Sequence, residues 1–248
     1  MRLSVVTVCL NAAGSIAHTL DSFFAQRHPD KEIVVVDGGS SDGTLQILDR
    51  YACPDLTVVT GPDRGLYDAM NKGLARFDGD AVGFLNADDR FHDAEALGVL
   101  AEGLAKADIV FGNVDFVAGH ESGRVVRQWR GSSFRHGHFG RGWMPAHPTF
   151  HVRRAVADAV GSFDLGYPIA ADYDWMLRAC ELHEFSTAYL DRVLVDMSMG
   201  GRSTRDIRSY AQHNLEALRA RRAWLGSGVV DAALLAKPLR KLSQFMVR

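Results

Sequence analysis

The stretch Gly83–Arg90, with the sequence GFLNADDR, decides the fold, because a short apolar run ends there at an amide and two adjacent carboxylates. A hydrophobic strand with this ending delivers charge to the rim of a sheet, and in open α/β sheets ligands bind outside the carboxyl ends of the strands. Clustered oxygen ligands suit a hard cation such as Mg²⁺ or Mn²⁺, which shares its coordination with substrate phosphates. A solvated turn or a helix cap gives the same local pattern, so the rest of the chain must decide.

Three further apolar segments precede this stretch, and each is followed by a turn and by apolar residues at helical spacing. Leu3–Leu10 and Glu32–Asp37 are continuously hydrophobic, which predicts burial on both faces, as in a parallel sheet covered by helices. With Leu56–Thr60 and Ala81–Leu85 the predicted order is βαβαβαβ, and its loops meet at one rim. The three predicted helices are Ile16–Phe24, Leu45–Tyr51 and Gly65–Phe77.

The first strand-to-helix turn lacks the G-x-G-x-x-G fingerprint, and the chain has no Walker A motif. A nicotinamide or flavin dehydrogenase is therefore disfavoured, and nucleotide recognition would rest on Asp37 and a metal. The glycine-serine-aspartate loop after Asp37 also suits an ordinary turn and helix cap. Arg64 and Lys72 are the nearest cations for a diphosphate, with a solvated side chain as the alternative for each.

The 248 residues are 47% hydrophobic and 23% charged, an ordinary globular composition for one large domain. Three widely spaced cysteines suggest neither a disulfide framework nor a zinc ribbon, and a reducing cytosol fits best. The apolar start is short and reads as a buried strand instead of a signal peptide. No stretch reaches the eighteen or so apolar residues of a membrane span.

Charge is distributed unevenly along the chain. From residue 201 to 248, ten Lys and Arg face three acidic residues, so this segment carries +7 while the whole chain carries −2. A basic tail suggests an anionic partner, and membrane headgroups fit better than nucleic acid because no aromatic-interleaved basic motif is present. Ala232–Val247 is amphipathic and basic, so it suits a membrane surface, with packing against the body or another subunit as the alternative.

The second half carries separate polar segments. Residues 107–115, 124–130 and 188–198 read as strands, and Ile207–Leu225 reads as a helix. The segment 134–151 holds four histidines, but it lacks a helical H-x-x-x-H pair and a nearby cysteine, so a closing loop is favoured over zinc. Asp172 lies near the start of a helix predicted from residue 170 onward, where a plain cap would look the same. Arg202, in a Gly- and Arg-rich turn, is a candidate diphosphate contact.

Four motifs together carry a resemblance to a known family: SVVTVCLN at 4–11, VVVDGGSSDGT at 34–44, DRGLYDAMNKG at 63–73 and FLNADD at 84–89. They resemble the family 2 glycosyltransferases with the GT-A fold, particularly the bacterial branch that builds surface polysaccharides and glycolipids. The resemblance covers about residues 1–205. It implies an inverting, Mn²⁺- or Mg²⁺-dependent transferase that uses a nucleoside-diphosphate sugar.

The resemblance also implies roles for single residues. Asp88 is the main metal ligand and Asp172 is the general base. Asp174 is its substitute, an acceptor or diphosphate contact, or a residue that holds a neighbouring side chain. His147–Phe150 resembles the acceptor-side strand of the family, in which His147 contacts the substrates. Asp37 reads the pyrimidine ring, while Asp89 caps the following segment. The remaining donor-side residues are Leu10, Asn11, Ser40, Asp42, Arg64, Asp68, Lys72, Asn86 and Ala87.

This sequence departs from the family pattern at three positions. Leu10 stands where the family often has Tyr, which leaves the choice among uridine, guanosine and thymidine open although UDP is favoured. Asn86 replaces the first Asp of the D-x-D motif, and Ala171 replaces the Glu that precedes the base. The Q-x-x-R-W signature of processive synthases is absent, which favours addition of a single sugar.

The sequence thus predicts a single α/β domain of the GT-A, Rossmann-like type, with a mostly parallel central sheet flanked by helices. Residues 1–205 form the transferase, with 1–115 as its nucleotide-binding half and 116–205 as its acceptor-binding half, and 206–248 form a basic helical extension. The expected acceptor is a saccharide or lipid-linked saccharide, and the expected location is the cytoplasm, with peripheral contact at the inner membrane face left open. The alternatives are a noncatalytic nucleotide-sugar-binding or scaffold subunit and a sugar nucleotidyltransferase.

Overall fold

A computed structural model describes residues 1–119, 123–198 and 207–226, in which one sheet is flanked by helices. The strands are β1 Leu3–Cys9, β2 Lys31–Asp37, β3 Leu56–Thr60, β4 Ala81–Phe84, β5 Arg90–Phe91, β6 Ile109–Val117, β7 Val125–Trp129, β8 His151–Arg153 and β9 Thr187–Ser198. The α-helices are α1 Ile16–Phe24, α2 Thr44–Arg50, α3 Leu66–Leu74, α4 Ala96–Leu104, α5 Arg154–Val160, α6 Ala171–Glu181 and α7 Ile207–Leu225. Short 3₁₀ turns lie at Phe139–Arg141 and His147–Thr149.

The sheet has the strand order β3-β2-β1-β4-β8-β6-β9-β5, and β7 pairs with the far end of β6. The strands β1 to β4, β6 and β9 run in one direction, whereas β5, β7 and β8 run in the other. The four parallel strands β1 to β4 are joined by crossover connections that contain the helices α1, α2 and α3, as the repeated strand-helix pattern requires. The predicted mostly parallel α/β sheet is confirmed.

Both faces of β1 and β2 are buried, which explains their continuous hydrophobicity. Val6, Val8, Val34 and Val36 pack into one core with helices α3, α5 and α6. The alternate side chains, including Ile33, pack into a second core with α1, α2 and α4. Because successive residues of a strand point to opposite faces, a strand covered on both sides has no polar face to show in its sequence.

Two glycines permit unusually close packing on the first core. A Cβ at Gly73 of α3 would lie 2.3 Å from Val6 Cγ1, so the helix rests directly on β1. A Cβ at Gly83 of β4 would lie 2.2 Å from His151 Nε2, so the imidazole ring of β8 covers this strand. The contact at Gly73 fixes the distance between α3 and β1, and the contact at Gly83 fixes the distance between β4 and β8.

The second half differs from the sequence prediction in several elements. The prediction missed β5, α4 and α5, and it assigned His147–Phe150 to a strand. The structure has a 3₁₀ turn at His147–Thr149, where the backbone N–H and the Oγ1 of Thr149 both bond to Ala146 O at 3.0 and 2.8 Å. The strand β8 begins only at His151.

Helix α7 packs onto the body of the protein. Ala217 and Ala220 are fully buried in the same core as Ala170 and Tyr173 of the α6 region. The boundary predicted at residue 205 and the segment 227–248, including the amphipathic stretch, lie outside the described residues. Within the described ranges, no helix combines the length and apolar character needed to cross a membrane.

Candidate functional site

Four loops leave the sheet at one edge, because β1 to β4 are parallel and in register. Cys9 at the end of β1 is the register partner of Asp37 at the end of β2, and Asp37 is in turn the partner of Thr60 at the end of β3. β4 continues the same edge, since Val6 of β1 pairs with Phe84. The loops at 10–15, 38–43, 61–65 and 85–89 therefore meet where α/β folds bind ligands.

The first two of these loops are tied together by side chain to backbone hydrogen bonds. The Asn11 N–H donates to Ser40 Oγ at 2.8 Å, and the Ser41 N–H donates to Asn11 Oδ1 at 3.0 Å. The Ala13 N–H donates to Asp42 Oδ2 at 3.0 Å. Asn11 adopts a left-handed backbone with φ of 51°, which Asn tolerates better than most residues. Ser40 and Asp42, both predicted as donor contacts, thus also hold the two loops in one arrangement.

Asp37 lies beneath this arrangement and is fully buried. Its carboxylate accepts from Gly39 N–H at 2.9 Å, Ser40 N–H at 2.9 Å, Thr60 Oγ1 at 3.2 Å and the Ser40 hydroxyl. Burial is the largest influence and raises the pKa of Asp37, but these hydrogen bonds together outweigh it and the net pKa is lowered. The structure gives Asp37 a role in ordering the loop, and its direct contact with a base remains a prediction.

The two predicted diphosphate cations flank Asp68: Arg64 precedes α3 and Lys72 lies in its last turn. The Arg64 guanidinium donates to Asp68 Oδ1 at 2.8 Å, and Lys72 Nζ lies 3.9 Å from Asp68 Oδ2 while donating to Pro62 O at 2.7 Å. The hydrogen bonds from Arg64 lower the pKa of Asp68. Asp68 therefore fixes both cations at the rim, and the Arg64 side chain remains 77% exposed there.

The acidic stretch after β4 divides into buried and half-buried residues. Asp89 is buried, and burial followed by the charge of Asp88 raises the pKa of its carboxyl group. Its oxygens accept from Asn86 Nδ2 and from Ser198 N–H, both at 3.3 Å. The prediction that Asp89 caps the following segment is wrong, because its side chain holds the end of β9. Ala87 is also buried, whereas Asn86 and Asp88 are half-buried.

The residues of this stretch fit a divalent cation. Asn86 Oδ1 is a buried amide oxygen that has no hydrogen-bond donor among the described residues, and it lies two positions before Asp88. Over the described ranges no group of three or more His, Cys, Asp or Glu side chains forms a complete metal cage. Mg²⁺ and Mn²⁺ do not require such a cage, because one or two protein oxygens, substrate phosphates and water complete their coordination.

Asp172 lies in the first turn of α6, where the preceding residues Ala170 and Ala171 have no side chain that caps the helix. Its Oδ1 accepts the Tyr173 N–H at 2.8 Å and lies 3.0 Å from the Tyr67 hydroxyl oxygen, whose single proton is shared between Asp172 Oδ1 and Ile169 O, the latter at 2.8 Å. Asp172 is therefore not the N-cap residue, which was the alternative interpretation of its sequence position. The Tyr67 contact ties this carboxylate to α3, the helix that carries Asp68 and Lys72.

Glu216 of α7 takes the capping role that Ala170 lacks. Its Oε2 accepts the backbone N–H groups of Ile169 and Ala170 at 2.8 and 2.9 Å, beside the start of α6. The sequence prediction missed both Glu216 and Tyr67. Tyr67 falls inside one of the four family motifs, so that signal was available, whereas no local pattern marks Glu216.

His147 lies close to Asp172 and is buried, with no partner for its Nε2 among the described residues. Its ring stacks on Phe84 of β4 with centroids 5.2 Å apart and an interplanar angle of 22°. Burial lowers the pKa of His147, and the charge of Asp172 only partly opposes this effect. A neutral imidazole with one unused ring nitrogen therefore lies on the acceptor side of β4.

Asp174, a predicted contact, has its carboxylate engaged by other parts of the fold. Both oxygens of the buried Asp174 are occupied, since Oδ2 accepts from Arg178 Nε at 2.8 Å and Oδ1 accepts from Trp224 Nε1 at 2.7 Å. Asp174 thus holds the side chains of Arg178 and Trp224, which confirms the interpretation that it holds a neighbouring side chain, while its role as a substitute base or substrate contact stays a prediction. Arg202 lies outside the described residues.

The mostly parallel sheet, with the loops after β1 to β4 meeting at one edge, is the arrangement of the GT-A fold of glycosyltransferases. The chain matches the sequence model of Glycosyl transferase family 2 over residues 4–159. The chain therefore belongs to this family and is a glycosyltransferase.

Relatives and solved structures agree with this assignment. A PGL/p-HBAD biosynthesis glycosyltransferase of Mycobacterium bovis is 31% identical over 213 residues, which are 80% of this chain and 77% of the relative. An uncharacterized glycosyltransferase of Mycobacterium tuberculosis is 32% identical over 201 residues, 75% of each chain. Staphylococcus aureus TarS in complex with UDP matches with a TM-score of 0.64 at 21% identity, over 87% of this chain and 65% of the TarS chain. The mannosyltransferase PcManGT from Pyrobaculum calidifontis, solved with GDP-Man and Mn²⁺, matches with a TM-score of 0.61 at 20% identity, over 98% and 81% of the two chains.

Proposed function

We propose that the protein is an inverting, metal-dependent glycosyltransferase that moves a sugar from a nucleoside-diphosphate sugar to a hydroxyl group of a saccharide or lipid-linked saccharide. UDP is the favoured nucleotide. The mycobacterial relative is named for PGL/p-HBAD biosynthesis, and a shorter match, TuaG of Bacillus subtilis, is named for teichuronic acid biosynthesis. These names support an acceptor belonging to a cell-surface glycan or glycolipid. Peripheral contact with the inner membrane face through the basic C-terminal segment belongs to the same proposal.

One observation carries the proposal: the hydrogen bond of 3.0 Å between Tyr67 of α3 and Asp172 of α6. This bond joins Asp172, which lies beyond the family-matched residues 4–159, to α3, the helix that carries Asp68 and Lys72. In an inverting transfer the base must lie opposite the leaving group, so one carboxylate must be fixed relative to the donor site. A carboxylate of a merely structural helix start would need no such tie.

Asp172 Oδ2 accepts no protein hydrogen bond within the described residues, whereas Oδ1 is held by Tyr67 and Tyr173. In the proposed reaction Asp172 removes the acceptor proton while the hydroxyl oxygen attacks the anomeric carbon from the face opposite the diphosphate. Asn86 and Asp88 are the residues that would hold Mn²⁺ or Mg²⁺, which supplies neutralisation of the departing diphosphate when bound. Arg64 and Lys72 add positive charge at the same rim.

The proposal is tested with two variants that separate its two carboxylates. We expect Asp172→Asn to bind UDP with Mn²⁺ like the wild type and to lower transfer by about 10²- to 10⁴-fold, the usual contribution of a general base. We expect Asp88→Ala to remove the Mn²⁺ dependence of UDP binding. Calorimetry measures binding, and release of nucleoside diphosphate across a panel of donors and acceptors measures turnover.

Each role has an outcome that refutes it. Full transfer activity in Asp172→Asn refutes the base, and UDP affinity of Asp88→Ala that responds to Mn²⁺ like the wild type refutes the metal ligand. A wild-type protein that binds UDP but turns over no donor supports the noncatalytic alternative. The matched control is Asp49→Asn, which removes an exposed carboxylate of α2.

A further inference from the structure

Helix α1 carries a polar stripe on the side that faces the rest of the protein. The stripe consists of Thr19, Ser22 and, in the turn that ends the helix, Gln26, which are three and four residues apart and so share one face. Thr19 is fully buried and Gln26 is 4% exposed. Buried polar side chains need hydrogen-bond partners, and the stripe finds them outside the helix.

The stripe holds the backbone that follows β4 at three successive points. The bonds run from Thr19 Oγ1 to Asp89 O at 2.7 Å, from the Phe91 N–H to Ser22 Oγ at 3.1 Å and from Gln26 Nε2 to Asp93 O at 2.6 Å. A Thr hydroxyl within a helix often bonds to a carbonyl of its own helix. Thr19 instead donates across to the segment that carries Asn86 and Asp88.

Thr19 meets this segment at a tight turn formed by residues 86–89. The Asp89 N–H closes the turn on Asn86 O at 3.0 Å, and Asn86 Nδ2 donates to Asp89 Oδ2 at 3.3 Å. The hydroxyl oxygen of Thr19, which donates to Asp89 O, also lies 3.4 Å from Asn86 O. It therefore lies at the base of the turn, against the carbonyl groups of both its first and its last residue.

The same turn carries the two side chains that fit a divalent cation. Asn86 Oδ1 is buried and has no donor among the described residues, and Asp88 is half-buried within the turn. The geometry of the turn sets where these two side chains start, and groups that orient metal ligands contribute to metal affinity although they do not touch the ion. Thr19 contacts the turn at both ends, so it has the position of such a group.

We propose that Thr19 is a positioning residue for the metal, whose hydroxyl fixes the 86–89 turn in the form that lets Asn86 and Asp88 bind one divalent cation. This inference rests on the proposed metal-dependent function and deepens it. The support is stiff, because Thr19 lies inside α1 and the helix is joined to the same segment again through Ser22 and Gln26.

The test measures UDP affinity by calorimetry in EDTA and at a series of Mn²⁺ concentrations. Thr19→Val removes the hydroxyl and keeps the branched shape of the side chain. We expect the Mn²⁺ concentration that gives half of the increase in UDP affinity to rise about tenfold, the lower end of the usual loss when a group that orients a metal ligand is removed. Affinity in EDTA should match the wild type, because the bonds of the Thr19 hydroxyl go to the turn at 86–89.

Two further substitutions at position 19 complete the test. Thr19→Ser keeps the hydroxyl and should keep the Mn²⁺ response of the wild type. Thr19→Ala removes the hydroxyl without placing a methyl group against Asp89 O, so it replaces the valine variant if that protein does not fold. Circular dichroism and the melting temperature identify the folded variants.

The matched control is Gln26→Leu, which changes the same stripe away from the turn. It removes the bonds of Gln26 to Asp93 O and to the Leu97 N–H, the latter at 2.9 Å. We expect a lower melting temperature but an unchanged Mn²⁺ response. An equal loss of the Mn²⁺ response in Gln26→Leu would show that Thr19 acts only through the stability of α1, and the inference would be wrong.

The outcomes also separate this inference from the proposed function. If Thr19→Val and Thr19→Ala respond to Mn²⁺ like the wild type, the positioning role is overturned while the metal-dependent function stands. If UDP binding by the wild type does not respond to Mn²⁺ or Mg²⁺, the metal dependence of the proposed function is refuted, and the role of Thr19 fails with it.

Discussion

At the scale of single residues, the site depends on side chains whose charge is set by their surroundings. His151 is buried against Gly83, and burial is the main reason that its pKa falls to about 4. Its Nδ1 lies 3.3 Å from Thr149 O, which assigns the proton of the neutral ring to Nδ1. This neutral ring packs against β4, the strand that is followed by Asn86 and Asp88.

The pKa of His151 predicts a loss of stability in mild acid. Between the usual histidine pKa near 6.5 and the folded value of about 4, the unfolded chain binds more protons than the folded one. The contribution is therefore complete above pH 6.5 and declines as the pH falls toward 4. From pH 7 to pH 5 we expect this group to lower the free energy of unfolding by about 2 kcal/mol.

Urea unfolding at several pH values checks this prediction with His151→Asn, in which an amide can still donate to Thr149 O. The variant should be less stable at pH 7, because the ring volume is lost, but its stability should change less between pH 7 and pH 5. His18→Gln on the exposed surface of α1 is the control. An equal pH slope in wild type and His151→Asn contradicts the assignment.

The sequence identified the residues that motifs mark, and it missed those that act across the fold. Asp88 and Asp172 were predicted from their positions in motifs. Asp88 lies in the loop after β4, and Asp172 lies in the first turn of α6. Tyr67 and Glu216 were not assigned these roles, because each partner lies tens of residues away and no local spacing connects them. The sequence position of Asp174 does not show its bonds to Arg178 and Trp224.

At the scale of elements, helix α3 packs unusually close to β1, because Gly73 has no side chain at their contact. A Cβ at Gly73 would lie 2.3 Å from Val6 Cγ1, and Val6 is itself buried between the two layers. The helix cannot move outward freely, because its Asn71 side chain exchanges two hydrogen bonds with the backbone of Phe163, at 3.0 and 2.8 Å. The position of Tyr67 on the same helix therefore depends on this close contact.

Gly73→Ala should destabilise the protein by about 1–3 kcal/mol, as overpacking of a close-packed core does. The control is Gly98→Ala in α4, where an added Cβ meets nothing within 4 Å. That change should stabilise the protein by about 0.4–1 kcal/mol, because alanine loses less conformational entropy in a helix. Chemical denaturation measures both, and equal effects of the two substitutions would show that Gly73 is not constrained by β1.

The predicted elements are accurate where one pattern dominates. Ile16–Phe24, Leu56–Thr60 and Ile207–Leu225 have the predicted bounds, because their periodicity is clear and turn residues flank them. The two-residue β5 is too short to have a period, and α4 lies in an apolar stretch that suits a strand or a helix equally. Pro148 and the two bonds of Thr149 to Ala146 replace the strand that the resemblance implied at 147–150.

At the scale of the whole molecule, the two halves of the site are joined by helices that are distant in the sequence. Tyr67 connects α3 to Asp172, and Glu216 connects α7 to the backbone at the start of α6. The family match ends at residue 159, before either Asp172 or Glu216. The proposed donor site and the proposed base therefore belong to different parts of the sequence that share one core.

Glu216→Ala should lower both stability and turnover. It leaves the N–H groups of Ile169 and Ala170 without their acceptor, and each buried unsatisfied group costs about 1–3 kcal/mol. The resulting shift of α6 should reduce transfer by about tenfold or more, because small errors in placing a base are costly. Affinity for UDP should change little, since the hydrogen bonds of Glu216 go to Ile169, Ala170 and Gln212 and not to the loops at the edge of the sheet.

Gln212→Ala is the matched control, because Gln212 bonds only to the other oxygen of Glu216, at 2.8 Å. Glu216→Gln keeps an acceptor and should recover part of the activity. Thermal unfolding, calorimetry with UDP and a transfer assay make the comparison. A Glu216→Ala protein with reduced stability but wild-type turnover would limit Glu216 to a structural role.

The contact between Glu216 and the start of α6 also sets the boundary at which this enzyme can be recombined with its relatives. A chimera that exchanged α6 alone would place a new helix, with its own first turn, against a Glu216 carboxylate that is positioned for the present start of α6. The two helices therefore form one unit of exchange. We therefore expect a chimera that exchanges both helices to fold more stably than one that exchanges α6 alone.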